Sequence, residues 1–137
     1  YRVIFVYNGP ELPQLGKHVL LTKWAPQLEI LAHKKTKVFI SHGGNKSLRE
    51  ALCSGIPLIV MPVYAEQAHS AHVLLAMGHA PVINKFNINE ENVFQTINEI
   101  LSKPEKGEKA RKLKEIFLDR QISSMEEENI HKEWEYI

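Results

Sequence analysis

Apolar residues along this chain fall in short runs of two kinds, and polar islands separate them. Segment 2–7, RVIFVY, is rich in β-branched and aromatic residues and predicts a buried strand. The loop-like stretch from Asn8 to Lys17 follows, with two glycines and two prolines, and His18–Thr22 predicts a second strand. Pro26 suits the first turn of a short helix carrying Leu28, Ile30 and Leu31. Lys37–Ser41 predicts a third strand, and a helix then runs through Ser54, with Gly55 as its C-cap and Pro57 beyond. Leu58–Val63 predicts a fourth strand, Glu66–Met77 a helix ended by Gly78, and residues 80–84 a short fifth strand. Asn89 caps a predicted helix to Leu101 whose buried stripe is Val93, Ile97, Ile100 and Leu101. Further helices are predicted near 105–118 and 124–136. Strands alternating with helices imply an α/β fold, a Rossmann-like parallel sheet with helices on both faces. In such sheets a ligand lies beyond the carboxyl ends of the strands.

Three polar islands fall at those ends: Trp24-Ala-Pro-Gln27, His42-Gly-Gly-Asn-Lys-Ser47 with Glu50, and Glu66-Gln67. Trp24, on a backbone fixed by Pro26, can offer its face to a planar base or can pack in the core. Gln27 carries donor and acceptor groups for a base or ribose. Gly43 and Gly44 allow close backbone approach to an anion at a helix start, where N–H groups lack internal partners and the dipole favours negative charge. His42 can add a hydrogen bond to a phosphate oxygen, and Ser47 a hydroxyl. The spacing fits neither GxGxxG nor the GxxxxGK[ST] loop. Glu50 could accept both ribose hydroxyls, although Ser47-x-x-Glu50 also reads as a capping box. Glu66 and Gln67 could hold sugar hydroxyls, although a glutamate at a helix start is also favourable for the dipole alone.

Length and composition narrow the classes. The 137 residues suit one domain, 44% apolar and 24% charged. A net charge of +1 gives no basis for nucleic-acid binding. Lys106, Lys109, Arg111, Lys112 and Lys114 are interleaved with Glu105, Glu108 and Glu115, which predicts a solvated helix face. The single cysteine, Cys53, reads as a small buried thiol and excludes an internal disulfide. No apolar run reaches 18 residues. His69 and His72 lie three apart on one predicted helix, but nothing is placed to complete a four-ligand metal site. Asp119 is the one aspartate, so no Asp-x-Asp metal–diphosphate motif exists and a metal-independent site is expected.

The order WxPQ, HGG, Glu, then an acidic residue followed by Gln resembles the UDP-glycosyltransferases, particularly the animal UDP-glucuronosyltransferases, over almost the whole chain. The resemblance implies the C-terminal, donor-binding lobe of a two-lobed GT-B enzyme, with the lobe's first strand–loop unit, the N-terminal acceptor lobe and the membrane anchor outside this chain. It places Trp24 and Gln27 at the uridine, His42, Gly43, Gly44 and Ser47 at the diphosphate, Glu50 at the ribose, and Glu66 and Gln67 at the donor sugar. Lys46 stands where the family usually has asparagine and could meet a phosphate only as a point charge. Glu66 replaces the more frequent aspartate. Asn45-Lys46-Ser47 is a formal glycosylation sequon whose use would fill the phosphate site.

The implied reaction is inverting transfer of a hexosyl group from UDP-glucuronic acid or UDP-glucose, a co-substrate, to a lipophilic acceptor held by the absent lobe. That lobe would also supply the catalytic base, so no catalytic residue is assigned in this chain, and no cofactor is expected. The parent protein is expected at the lumenal side of the endoplasmic reticulum membrane, in detoxification, and a homo-oligomer is compatible with the resemblance. A different class, a non-catalytic nucleotide- or partner-binding regulatory module, would share the donor site without the second lobe.

Overall fold

The computed structural model describes residues 1–13 and 15–119. The helix expected near 124–136 lies outside the described residues. In chain order the elements are β1 (Val3–Val6), β2 (Val19–Thr22), α1 (Gln27–Ala32), β3 (Phe39–Ser41), α2 (Asn45–Ser54), β4 (Leu58–Val60), α3 (Ala65–Ala76), α4 (Glu90–Ser102) and α5 (Pro104–Leu118). The α/β alternation expected from the sequence is present, and every named strand pair is parallel.

The strands form two pairs. β1 runs beside β2, with Val3 opposite Val19, and β3 runs beside β4, with Phe39 opposite Leu58. The fifth strand expected over 80–84 reduces to one parallel bridge between Val82 and Val60. Its N-terminal neighbour Pro81 has no N–H to extend a ladder. Pro62 stops β4 early for the same reason.

β4 is the centre of the packing. Leu58, Ile59 and Val60 are all buried, and alternate residues of a strand face opposite sides. Val60 and Leu58 join Leu48, Ala51, Ala71 and Ala80, so that face is covered by α2 and α3. Ile59 joins Ile83 and Ile100, with Val93 and Ile97 of α4 against them. This sheet therefore has helices on both faces.

The β1–β2 pair differs. The sequence predicts a buried strand at 2–7, but Val3, Ile4, Phe5 and Val6 are each 44–49% exposed. Successive residues point to opposite faces, so neither face of β1 is fully covered by the described residues. An apolar run specifies strand conformation, but burial also needs a covering layer.

The caps follow local chemistry. Gly55 ends α2 in the left-handed region at φ 68°, where its N–H reaches the carbonyl oxygens of Ala51 and Leu52. Asn89 caps α4, its side chain accepting from the Asn92 N–H at 2.8 Å. The basic face of α5 is not wholly solvated as expected. A Cβ on Gly55 would meet Lys114 Cδ at 3.1 Å, so α5 packs across the end of α2. Cys53 is partly rather than fully buried.

Candidate functional site

The three polar islands follow β2, β3 and β4 and sit at the carboxyl ends of these strands. Trp24 lies just past β2 and is 74% exposed, which excludes the core reading. Its backbone is held by Thr22, whose hydroxyl donates to the Trp24 carbonyl at 2.7 Å. A solvent-facing indole on a held backbone is suited to stacking.

The turn after β3 is built around two glycines for different reasons. Gly43 has φ 89°, and a Cβ there would stand 2.8 Å from Val60 Cγ1. Gly44 is the N-cap of α2 with an ordinary φ of −64°. A Cβ on Gly44 would meet His42 Nε2 at 2.6 Å, so the exposed imidazole lies over this backbone. Beneath the turn, buried Ser41 accepts the Gly43 N–H at 3.2 Å. No side chain caps α2. Its first-turn N–H groups and the dipole's positive end are thus left for an anion.

The helix starts two residues before Ser47, which makes Ser47 its third residue and removes the capping-box reading of Ser47 and Glu50. Both side chains instead meet Gln27 at the start of α1. Gln27 Nε2 donates to Glu50 Oε2 at 2.6 Å and to Ser47 Oγ at 3.1 Å. These bonds tie the first island to the second across 20 and 23 residues of sequence. Lys46 is almost fully exposed and stands 4.0 Å from Glu50 Oε1, a loose ion pair on one helix face.

The third island divides. Glu66 is exposed in the first turn of α3, whereas Gln67 is buried. Gln67 Oε1 accepts the Val63 N–H at 2.9 Å and the Tyr64 N–H at 3.2 Å, satisfying the chain just before α3. Its Nε2 donates to Glu66 Oε1 at 3.3 Å. The Cβ of Gln67 lies 3.8 Å from where a Gly43 Cβ would be, which brings the second and third islands together. His69 and His72 are exposed on α3. Among the described residues, no three His, Cys, Asp or Glu side chains gather as a metal site would require.

Sequence reasoning missed three supporting residues: Thr22, Ser41 and Val60. Thr22, two residues before Trp24, has the spacing of a hydroxyl–backbone turn and was open to recognition. Val60 was not, because its role is contact with the turn that follows the neighbouring strand.

The family described as UDP-glucoronosyl and UDP-glucosyl transferase matches residues 1–131. A UDP-glucuronosyltransferase of Pleuronectes platessa is 34% identical over 125 residues, which cover 91% of this chain and 26% of that protein. UDP-glycosyltransferase UGT5 of Dactylopius coccus is also 34% identical, over 91% of this chain and 24% of its own length. The chain thus spans about a quarter of these relatives. Among solved structures, Os79 from O. sativa, in complex with UDP and deoxynivalenol-3-glucoside, superposes with a TM-score of 0.67 at 32% identity. That match covers 72% of this chain and 24% of Os79. The fold is that of a Rossmann-like part of a GT-B glycosyltransferase. With a strand-end tryptophan, a glycine turn opening an uncapped helix, and a match over residues 1–131, this chain belongs to the UDP-glucuronosyl and UDP-glucosyl transferase family.

Proposed function

We propose that this chain is the donor-binding part of a UDP-glycosyltransferase that moves a glucuronosyl or glucosyl group to a lipophilic acceptor hydroxyl. The observation that carries the reading is the convergence of Gln27, Ser47 and Glu50 beside an uncapped helix N-terminus. A diphosphate and a ribose diol need this combination: donors for the anion and a carboxylate for the hydroxyls.

In this reading Trp24 stacks on uracil and Gln27 belongs to the same end. Gly43, Gly44, His42, Lys46 and Ser47 meet the diphosphate, Glu50 the ribose, and Glu66 the sugar, with Gln67 supporting Glu66. The acceptor oxygen attacks the anomeric carbon from the face opposite UDP. The bond to the β-phosphate oxygen breaks, the configuration inverts, and the acceptor proton passes to a base on a second lobe. This chain's residues stabilise the negative charge that grows on the leaving diphosphate. Donor binding requires no metal ion, since backbone N–H groups, His42 and Lys46 take that part. The parent enzyme is anchored in the endoplasmic reticulum membrane with this lobe lumenal. Among the described residues no helix is long and apolar enough to cross a membrane.

Calorimetry with UDP and ADP tests the donor assignment: UDP binds and ADP binds much more weakly. Equal affinities would remove the uridine reading. The isolated chain with UDP-glucose or UDP-glucuronic acid and a phenolic acceptor should give no glycoside by mass spectrometry, because the base is elsewhere. Turnover above a His42→Ala control would show that the chain carries its own base.

A further inference from the structure

We propose that Gln27 is a positioning residue that fixes the hydrogen-bond polarity of Ser47 and Glu50 before the donor arrives. The proposal rests on the donor-site reading above and assigns Gln27 a role exerted through two other side chains. A carboxylate can only accept, so the nitrogen end of the Gln27 amide must face Glu50. That nitrogen carries two hydrogens, and the structure gives each a partner, Glu50 Oε2 at 2.6 Å and Ser47 Oγ at 3.1 Å. Both amide donors are therefore occupied within the protein.

The consequence for each partner differs. Ser47 Oγ accepts from Gln27, which turns its own hydrogen away from the amide. No protein acceptor for that hydrogen is found among the described residues. Ser47 is thereby set as a donor, the polarity a phosphate oxygen needs. Glu50 has one oxygen held by Gln27, while the other meets only the exposed Lys46 at 4.0 Å. Its side chain is 18% exposed, so the free oxygen is presented from a mostly buried, fixed carboxylate, the polarity a ribose hydroxyl needs. One amide thus sorts a donor for the anion from an acceptor for the diol. It does so from α1, a different helix from the one carrying both partners. Holding these groups in place beforehand removes an ordering cost from binding.

A double-mutant cycle on the 137-residue chain separates this role from direct contact. UDP and 2′-deoxyuridine diphosphate are titrated by calorimetry into the unsubstituted chain, Gln27→Ala, Ser47→Ala/Glu50→Ala, and the triple variant. Gln27→Ala should weaken UDP by about tenfold, the scale of a hydrogen bond to a charged group. In the Ser47→Ala/Glu50→Ala background the same change should cost less than about twofold, because nothing is left to position. The preference for UDP over the deoxy ligand should also fall in Gln27→Ala, which a general loss of folding would not produce. Gln27→Glu, of nearly the same volume, guards against misfolding. It sets carboxylate against carboxylate and should lose the ribose preference while keeping the circular dichroism of the parent. An equal loss from Gln27→Ala in both backgrounds, or an unchanged ribose preference in Gln27→Glu, would overturn the positioning role alone. Failure of the unsubstituted chain to bind UDP would instead overturn the donor reading and this role with it.

Discussion

Gly43 and Val60 meet so closely that a single added carbon would not fit: a Cβ on Gly43 would stand 2.8 Å from Val60 Cγ1. Val60 has no solvent exposure and belongs to the core, so it cannot move aside. The backbone at Gly43 is also in the left-handed region, at φ 89°. Gly43→Ala should therefore destabilise the fold by about 1–3 kcal/mol from backbone strain, with a further cost from the clash. A thermal melt should show it as a drop of about 3–5 °C per kcal/mol. Gly44→Ala, at an ordinary φ, would displace only the His42 ring and lose about 0.5–1 kcal/mol of N-cap preference, so its melt should fall less than that of Gly43→Ala while UDP weakens. A melt as damaged as that of Gly43→Ala would contradict this division.

Trp24 offers a cleaner separation of binding from stability. Its side chain is largely in solvent, so Trp24→Ala should change folding free energy by less than about 0.5 kcal/mol. Loss of base stacking should cost about 1–3 kcal/mol of UDP affinity. Urea unfolding and calorimetry on the same preparation check both parts. A large loss of stability would mean that the indole is structural after all.

Glu66 and Gln67 are neighbours in sequence with opposite exposure in the structure. Glu66→Ala should weaken a UDP-sugar more than UDP and leave the melting temperature in place. Gln67→Ala leaves the Val63 and Tyr64 N–H groups without their acceptor and should cost about 1–3 kcal/mol of stability. Equal losses for UDP and UDP-sugar in Glu66→Ala would return Glu66 to a helix-start role.

Glu99 links the last two described helices and gives a small pH dependence. Lys103 Nζ donates to Glu99 Oε1 at 3.1 Å, and Lys106 Nζ stands 3.8 Å from the same oxygen. The Lys103 hydrogen bond, then the charges of Lys103 and Lys106, hold the Glu99 carboxyl below its ordinary 4.5. A carboxyl that resists protonation in the folded state stabilises it fully above 4.5, and the contribution disappears as pH falls through the lowered value. Both partners are about half exposed, so Glu99→Gln should cost only a few tenths of a kcal/mol at neutral pH. Urea midpoints should show that difference near pH 7 and a shrinking one as pH falls below the ordinary carboxyl range, and salt should shrink it too. A difference that grows on acidification would have the wrong sign.

Local chemistry was the legible part of this fold. Gly55 and Asn89 were identifiable as caps because a left-handed C-terminus and an N-terminal acceptor demand particular residue types. The three polar islands were legible as a group, since strand and helix periods placed each at a strand's carboxyl end. The exposure of β1 was not legible, because Val3–Val6 is as apolar as a covered strand and the covering layer is not encoded in the strand itself. Nor was the Gln27 bridge: Ser47-x-x-Glu50 has the spacing of a capping box, and only the helix start at Asn45 shows that both side chains are free to look elsewhere. The burial of Gln67 was not legible, because a surface amide and a buried one are identical in sequence. The distinction lies in the two backbone N–H groups that fold under it.

Ile59 and Val60 stand side by side on β4, yet one belongs to each of the two apolar clusters. Opening either cluster exposes a flank of the same three-residue strand, so the two cannot come apart independently. Amide hydrogen exchange should therefore be slowest here, with the N–H groups of Val60 and of Ile83, which donates to the Val60 carbonyl, opening only with the whole molecule. β1 and β2 contribute no residue to either cluster, and their amides should exchange through smaller, earlier openings. The protein would then have a slow-opening half carrying the glycine turn and a fast-opening half carrying Trp24. A ligand that touches both would report itself by slowing exchange in β2, far more than in β4.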